Sequence, residues 1–393
     1  MKTSKLISVG FAMFAMLFGA GNVIYPLSLG RDIGHMLWVG LAGFVITAIF
    51  VPLLGLVSTM LCDGQYSKFL GRLGKIPGAI IAMICMILIG PFALTPRCID
   101  VSHASIKLYL PWFSLPYFSV FSAVLILLFT LRKNQVVDLL GRYLGPLKVV
   151  LLSTIIIKGI LYPSAFIDVT MSVSKSFALG FGTGYATADL LGTVFFSGLI
   201  LSGLKQGLEG TITPKLLAIM GLKAGVFGGL LLGVMYTGFC VVAAFNGASL
   251  QGVPDGDIFS ILAELILGHS GGLFANITVA ISCLTTAIAL TTVFADYLQR
   301  EILMGRVSYH ICLLITISIT TFMSNLGFDA IMGIIMPCVE ILYPALIMLS
   351  IVNGANILFG FRWIKTPVFA TLSLSILLKY TSLLTPFIPD GLI

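Results

Sequence analysis

Phe18-Gly19-Ala20-Gly21-Asn22-Val23 stands in the middle of an uncharged run that extends from Leu6 to Gly30. A bilayer core about 30 Å thick takes roughly 20 apolar residues of helix to cross. The run is long enough to span and too long for the apolar region of a secretory signal. A glycine weakens a helix by about 1 kcal/mol relative to alanine. Two of them around Ala20, at mid-depth, predict that the helix unwinds there and bares its amides and carbonyls. Backbone bared at that depth is tolerated only where it lines a site enclosed by protein.

Outward from this stretch, long apolar runs fill the chain. Of 393 residues, 58% are hydrophobic and 9% are charged, against roughly a quarter charged in a soluble domain. An all-α membrane protein is expected, with about eleven spans near 6–30, 37–61, 76–97, 113–131, 141–162, 185–204, 219–245, 270–297, 307–325, 330–353 and 366–388. Lys and Arg set the orientation. With the N-terminus inside, 14 of the 22 basic residues fall on the inner face, Lys68, Arg72, Lys75, Arg132, Lys133 and Arg142 among them. Arg31, Arg97, Lys107, Lys175 and Lys379 are assigned outside, while Lys148, Lys158 and Lys223 lie within or at the edge of spans. Loop placement thus explains the net charge of +7 without a nucleic-acid partner.

Enzyme chemistry finds little footing. The seven cysteines are scattered, with no C-x-x-C pair or His/Cys metal spacing, so neither disulfides nor zinc are expected. A G-x-x-x-x-G-K-[ST] loop, H-E-x-x-H and G-x-S-x-G are all absent. Nothing resembles the repeated filter loop or charged ring of a channel.

The sixth span is disturbed like the first. Gly180, Gly182 and Gly184 precede Tyr185-Ala186-Thr187-Ala188-Asp189, and only 15 uncharged residues separate Asp189 from Lys205. Fifteen residues of helix reach about 22 Å, short of a crossing. Broken first and sixth helices, five spans apart, predict two inverted five-helix repeats whose half-helix ends face a central site. The repeats would occupy 1–162 and 163–354, with an extra helix in 355–393. Small residues in membrane helices also serve close packing, the ordinary account of either segment alone.

In the eighth span, Ser282-Cys283-Leu284-Thr285-Thr286-Ala287 offers hard, uncharged oxygens that suit a weakly held monovalent cation. Such hydroxyls also bond back to the carbonyl one turn earlier, as Thr291 and Thr292 are expected to do. Charges inside spans are costly and usually functional, which marks Lys148 as a coupling candidate, although so near the start of its span it can equally snorkel to the inner face. Glu340, deep in the tenth span, is either an ion-pathway residue or a neutral packing group. Arg97, at the outer end of the third, is an external gate or an interface anchor, and Asp329 is expected to cap the tenth.

Five motifs together resemble a known family. They are Gly10-Phe11-Ala12-x-Phe14-Ala15-x-x-Phe18-Gly19-Ala20-Gly21-Asn22-x-Ile24-Tyr25-Pro26, Gly90-Pro91-x-x-x-Thr95-Pro96-Arg97, Gly145-Pro146-Leu147-Lys148, Gly184-Tyr185-x-Thr187-x-Asp189-x-Leu191-Gly192 and Leu284-Thr285-Thr286-Ala287-Ile288-x-Leu290-Thr291-Thr292. In this order they resemble the bacterial branched-chain amino acid:cation symporters (the LIVCS family), within the amino acid/polyamine/organocation group. The resemblance implies a LeuT-like 5+5 inverted-repeat core with helices 1 and 6 broken. It implies Na⁺-coupled uptake of leucine, isoleucine or valine across the bacterial inner membrane by alternating access. No covalent cofactor and no obligatory protein partner are implied.

Residue by residue, the resemblance places the substrate carboxylate on the amides of Ala20 and Gly21, beside Gly19, with Asn22 bracing the break. Backbone around Tyr185, Ala186 and Thr187 would take the ammonium, with Asp189 as a counter-charge. Na⁺ would sit among the carbonyls of Ala15, Phe18 and Ser282 and the oxygens of Thr285 and Thr286. Some relatives of this fold bring a lysine of the fifth helix to the cation position in a proton-coupled cycle. Burial disfavours a charged amine, so Lys148 makes H⁺ the alternative ion. Family members usually carry a twelfth span where eleven are expected here, which bears on assembly or regulation rather than on the core.

Overall fold

The computed structural model describes residues 3–131, 143, 145–163, 171–205 and 213–384. Arg132, Lys133 and Arg142, read above as inner-face charges, lie outside the described residues, as does the end of the last expected span.

Lipid leaves backbone groups no partners but one another, and the apolar runs fold as helices, with no strand among the described residues. In chain order they are α1 (Thr3–Leu17), α2 (Ala20–Ile33), α3 (Leu37–Val45), α4 (Val51–Leu61), α5 (Tyr66–Gly71), α6 (Lys75–Ile89), α7 (Leu94–Lys107) and α8 (Leu115–Thr130). There follow α9 (Gly145–Leu161), α10 (Val173–Ala186), α11 (Asp189–Lys205), α12 (Pro214–Phe245), α13 (Ile258–Tyr297), α14 (Tyr309–Ser324), α15 (Phe328–Phe359) and α16 (Lys365–Leu384). Hydroxyls of Ser172, Thr213 and Ser308 cap the starts of α10, α12 and α14 by accepting the amide three residues on. Gly268, at φ +69°, kinks α13.

Among the described residues, six helical stretches are long and apolar enough to cross a membrane: Ala20–Leu61, Lys75–Lys107, Val173–Lys205, Leu216–Phe245, Asp255–Ile302 and Phe328–Phe359. Shorter apolar helices accompany them at Leu115–Thr130 and Tyr309–Ser324. Large apolar side chains such as Phe274 and Phe322 point outward. Trp38, Trp112 and Trp363 are exposed near helix ends, where aromatic belts meet the lipid headgroups. This is a multi-pass membrane protein.

Among the helices that differ from the sequence expectation, two decide how the site is placed. The third runs from Lys75 to Lys107, interrupted between Ile89 and Leu94, rather than ending at 97. Pro91 has no amide to continue the ladder, and the helix restarts with Arg97 in its first turn. Arg97 is therefore interior, 3% exposed, and leaves the set of outward charges. The sixth begins at Val173, a dozen residues before the expected start, and breaks between Ala186 and Asp189.

Gly180, Gly182 and Gly184 consequently lie inside α10, ahead of the break. Gly180 packs on the Gly40 backbone of α3, and Gly184 on Phe44 and Thr47, while Thr47 Oγ1 donates to Phe181 O at 2.9 Å. These glycines serve close helix approach. Gly182 faces open space, which supplies a matched control. Gly180→Leu is expected to lower stability by about 3 kcal/mol through overpacking, read as a fall in melting temperature in detergent, whereas Gly182→Leu should melt like wild type.

Candidate functional site

The two breaks meet at the centre of the protein. Gly19 is extended, at φ −115° and ψ −151°, and its amide donates to Asn22 Oδ1 at 3.3 Å. The other end of that amide side chain leaves the helix: Asn22 Nδ2 donates to Asp189 Oδ2 at 2.7 Å and to the Tyr236 hydroxyl. Tyr236 in turn donates to Asp189 Oδ2 at 2.9 Å. All three side chains are buried. Asp189 opens α11, where the amide ends of the helix favour negative charge.

Ala188 supplies the bend itself, at φ +62°, a left-handed conformation that costs an alanine about 1–2 kcal/mol. Its amide holds the Tyr185 carbonyl at 3.0 Å, and Leu190 N–H donates to the Tyr343 hydroxyl at 3.2 Å. Of the backbone expected around the substrate ammonium, the Tyr185 carbonyl is thus already engaged. Phe14, Phe18, Phe44 and Tyr236 pack ring against ring beside the first break.

Arg97 takes the remaining carbonyls. Its Nη1 donates to Ala186 O at 3.0 Å and its Nη2 to Thr187 O at 3.3 Å. Nη1 also reaches the Tyr25 hydroxyl at 3.4 Å, and the guanidinium carbon stands 5.7 Å from that ring's centre. A β-carbon added at Gly21 would lie 2.7 Å from Nη2, so glycine there admits the guanidinium to the start of α2. The outer-gate and interface placements expected for Arg97 both give way to this central one.

Lys148 does not snorkel. It is 1% exposed, and its Nζ donates to Ala15 O at 3.0 Å, Ser282 O at 3.2 Å and Phe18 O at 3.4 Å, and to Thr285 Oγ1. Ser282 Oγ adds a bond to Phe18 O at 3.0 Å, and Thr286 Oγ1 lies 3.5 Å from Ala15 O. The oxygens named for Na⁺ are therefore together, and the Lys148 amine nitrogen stands among them. A bound Na⁺ would need the same oxygens. Of the two neighbouring threonines, Thr292 bonds back to Ile288 O at 2.7 Å, whereas the Thr291 hydroxyl is buried with no partner among the described residues.

Between these groups lies a cavity of about 20 Å³, bounded by Met16, Leu94, Asp189, Phe196, Thr286 and Leu290 among others. It draws on α1, α2, α7, α11 and α13 and has room for about one water. Glu340 is not part of this cluster. It pairs with Lys379 of α16, partly exposed. Asp329 stands in the first turn of α15, and Lys158 is exposed. Tyr236 and Tyr343, which tie the second break to α12 and α15, gave no sequence signal, because a lone tyrosine in an apolar run looks like core.

The chain is similar to known proteins along nearly all its length. It is 28% identical to the branched-chain amino acid permease BrnQ of Bacillus subtilis, covering 88% of this chain and 80% of that one. It is 27% identical to the BrnQ permease of Escherichia coli, covering 96% and 87%, and 26% identical to the branched-chain amino acid transport system 3 carrier protein of Pseudomonas aeruginosa, covering 89% and 80%. In fold it resembles the manganese transporter of Eremococcus coleocola, with a TM-score of 0.61 for its complex with an aromatic bis-isothiourea substituted compound and 0.64 for a mutant form. Both comparisons have 16% identity and cover 99% of this chain and 89% of that one. Such relatives are carriers, and the chain is a transport protein rather than an enzyme. Residues 2–386 match the family described as branched-chain amino acid transport protein, and to that family this chain belongs.

Proposed function

We propose that the protein carries leucine, isoleucine and valine into a bacterial cell across the inner membrane by alternating access, coupled to H⁺ through Lys148. The substrates follow from the names of the relatives, and the small cavity between the two helix breaks would have to widen to take them. The N-terminus would be cytoplasmic. Of eleven spans, ten would form inverted five-helix repeats in 1–162 and 163–354, with the eleventh, in 355–393, outside the core. The substrate carboxylate would meet the Ala20 and Gly21 amides, and its ammonium the carbonyls of Ala186 and Thr187 near Asp189.

One observation carries the choice of ion: the Lys148 ammonium lies within a set of uncharged oxygens that join α1 to α13. An ammonium has three N–H donors. After loss of one proton to water on the inner side, a neutral amine has two donors for four acceptors. Contacts between α1 and α13 then weaken, and reprotonation from the outer side restores them. A larger cavity of about 630 Å³, lined by Gln65, Tyr66, Phe195, Asp296 and Arg300, lies about one helical turn beyond the central one along α11 and α13. It would serve as the inward path. Sodium remains the second reading, favoured by the hard, neutral oxygens, and it requires Lys148 to withdraw.

Uptake of labelled leucine into proteoliposomes separates the two. Accumulation that follows an imposed pH gradient with choline in place of Na⁺ is expected. Accumulation that needs Na⁺ and ignores the pH gradient would replace the proton reading with the sodium one. No accumulation under either gradient would remove the substrate assignment.

A further inference from the structure

We infer that Arg97 is the anchor for the substrate's carboxylate and that, in the empty site, its guanidinium stands in for the substrate's ammonium. This deepens the transport reading above and rests on it. The first observation is a buried charge that no carboxylate contacts among the described residues, Asp189 acting on it only through space. Arg97 is buried, yet its bonded partners are two carbonyls, the Tyr25 hydroxyl and the Met332 sulfur. None of the ion pairs among the described residues includes it. Its Nε is buried with no hydrogen-bond partner among the described residues. Buried charges are normally paired, and guanidinium is the side chain whose donors match a carboxylate two at a time.

The second observation is position. Arg97 lines the central cavity together with Gly19, Ala20 and Asn22, and Nη2 sits against Gly21. A carboxylate placed on the opening amides of α2 would therefore lie beside the guanidinium. On the other side, the guanidinium occupies Ala186 O and Thr187 O, the acceptors that an incoming ammonium requires. Binding a zwitterion would be an exchange of partners. The carboxylate draws Arg97 towards α2, and the released carbonyls at the end of α10 receive the substrate ammonium. The same displacement enlarges a cavity that now holds about one water.

Selectivity follows from this exchange. An amine without a carboxylate offers Arg97 only a like charge, and a carboxylate without an amine leaves the two carbonyls unfilled. The site is thus built for amino acids with both α-groups free, whatever the apolar side chain.

Full-length protein in nanodiscs, binding labelled leucine against unlabelled leucine, leucinamide and 4-methylpentanoate, tests the assignment. For wild type, both analogues should compete at least about tenfold more weakly than leucine, the scale of one lost charged hydrogen bond. In Arg97→Gln, leucine should weaken by a similar factor or more, and the preference for leucine over leucinamide should collapse towards one. Arg97→Lys should recover part of that preference, and it serves as the readout if the glutamine variant is poorly folded. An unchanged preference in a folded Arg97 variant, or wild type that binds leucinamide as tightly as leucine, overturns the anchor while the transport reading stands. Wild type that binds no leucine overturns both.

Discussion

Lys148→Ala is expected to abolish accumulation of leucine driven by a pH gradient and to leave a protein that responds to Na⁺. The side chain is 1% exposed and joins α9 to the carbonyls of Ala15 and Phe18 on one side and of Ser282 on the other. Hydrogen bonds to a charged group contribute about 1.5–3 kcal/mol each. Losing two of them from one conformation and not the other shifts the equilibrium by about 3 kcal/mol, over a hundredfold. Folding should survive, since the change also removes a charge that was costly to bury. The vacated oxygens, five with Thr286, form a neutral cage without its cation. Na⁺ at about a hundred times its dissociation constant would stabilise the folded state by about 2.7 kcal/mol. Melting of the detergent-solubilised variant in NaCl and in choline chloride measures this directly. Sodium should raise the melting temperature of Lys148→Ala and leave wild type unmoved. The reverse pattern would mean that lysine and sodium do not compete, and the proton reading would fall.

The first break was legible because its cause is local. Glycines on both sides of Ala20 weaken the helix where it breaks, and Asn22 is close enough in sequence to hold the Gly19 amide. The second break has no such cause. No glycine stands at Thr187 or Ala188, and the alanine adopts its left-handed conformation because Arg97, Tyr343 and Asn22, all distant in sequence, hold both sides of the bend. The nearby glycines misled in placing the start of that helix, since their role is packing against α3. Arg97 misled for a related reason. In a sequence a lone arginine beside Pro96 marks a helix end, and its burial depends on carbonyls some 90 residues further on. Lys148 posed the same difficulty in milder form: snorkelling and ligation look alike until the carbonyls of Ala15 and Phe18 are in place.

Both internal cations share one logic. Each fills a set of backbone oxygens beside a helix interruption. Arg97 stands where the substrate ammonium would bind, and Lys148 where the family resemblance implies Na⁺. A protein arranged in this way holds its unwound backbone satisfied when empty, at a depth where unpaired carbonyls are expensive. Exchange of a tethered cation for a diffusible one then replaces contacts instead of creating them, which keeps the barrier to release low.

Asp189→Ala is expected to be the most destabilising single change at the site. The carboxylate is 3% exposed and accepts from Asn22 Nδ2 at 2.7 Å and Tyr236 Oη at 2.9 Å, so it joins the first break, the second break and α12 at one oxygen. Its removal leaves two buried donors without that acceptor, at about 1–3 kcal/mol each, and strips the start of α11 of a favourable negative charge. A loss of about 3–5 kcal/mol is expected, the range for breaking a buried charged group from its partners. Tyr236→Phe removes one donor and its desolvation together, and should cost only about 1 kcal/mol. Combining Tyr236→Phe with Asp189→Ala should then cost clearly less than the two separate losses added, because the orphaned hydroxyl is gone. Asp189→Asn keeps the shape and can still offer its one oxygen to both donors, but it loses the negative charge at the start of α11, so it should fold and still weaken leucine binding. Melting temperatures of the four variants, with leucine binding on those that fold, decide the matter. An Asp189→Ala protein that melts and binds like wild type would mean that the two breaks are held by Arg97, Tyr343 and the packing of Phe14, Phe18 and Phe44, with the carboxylate a passenger.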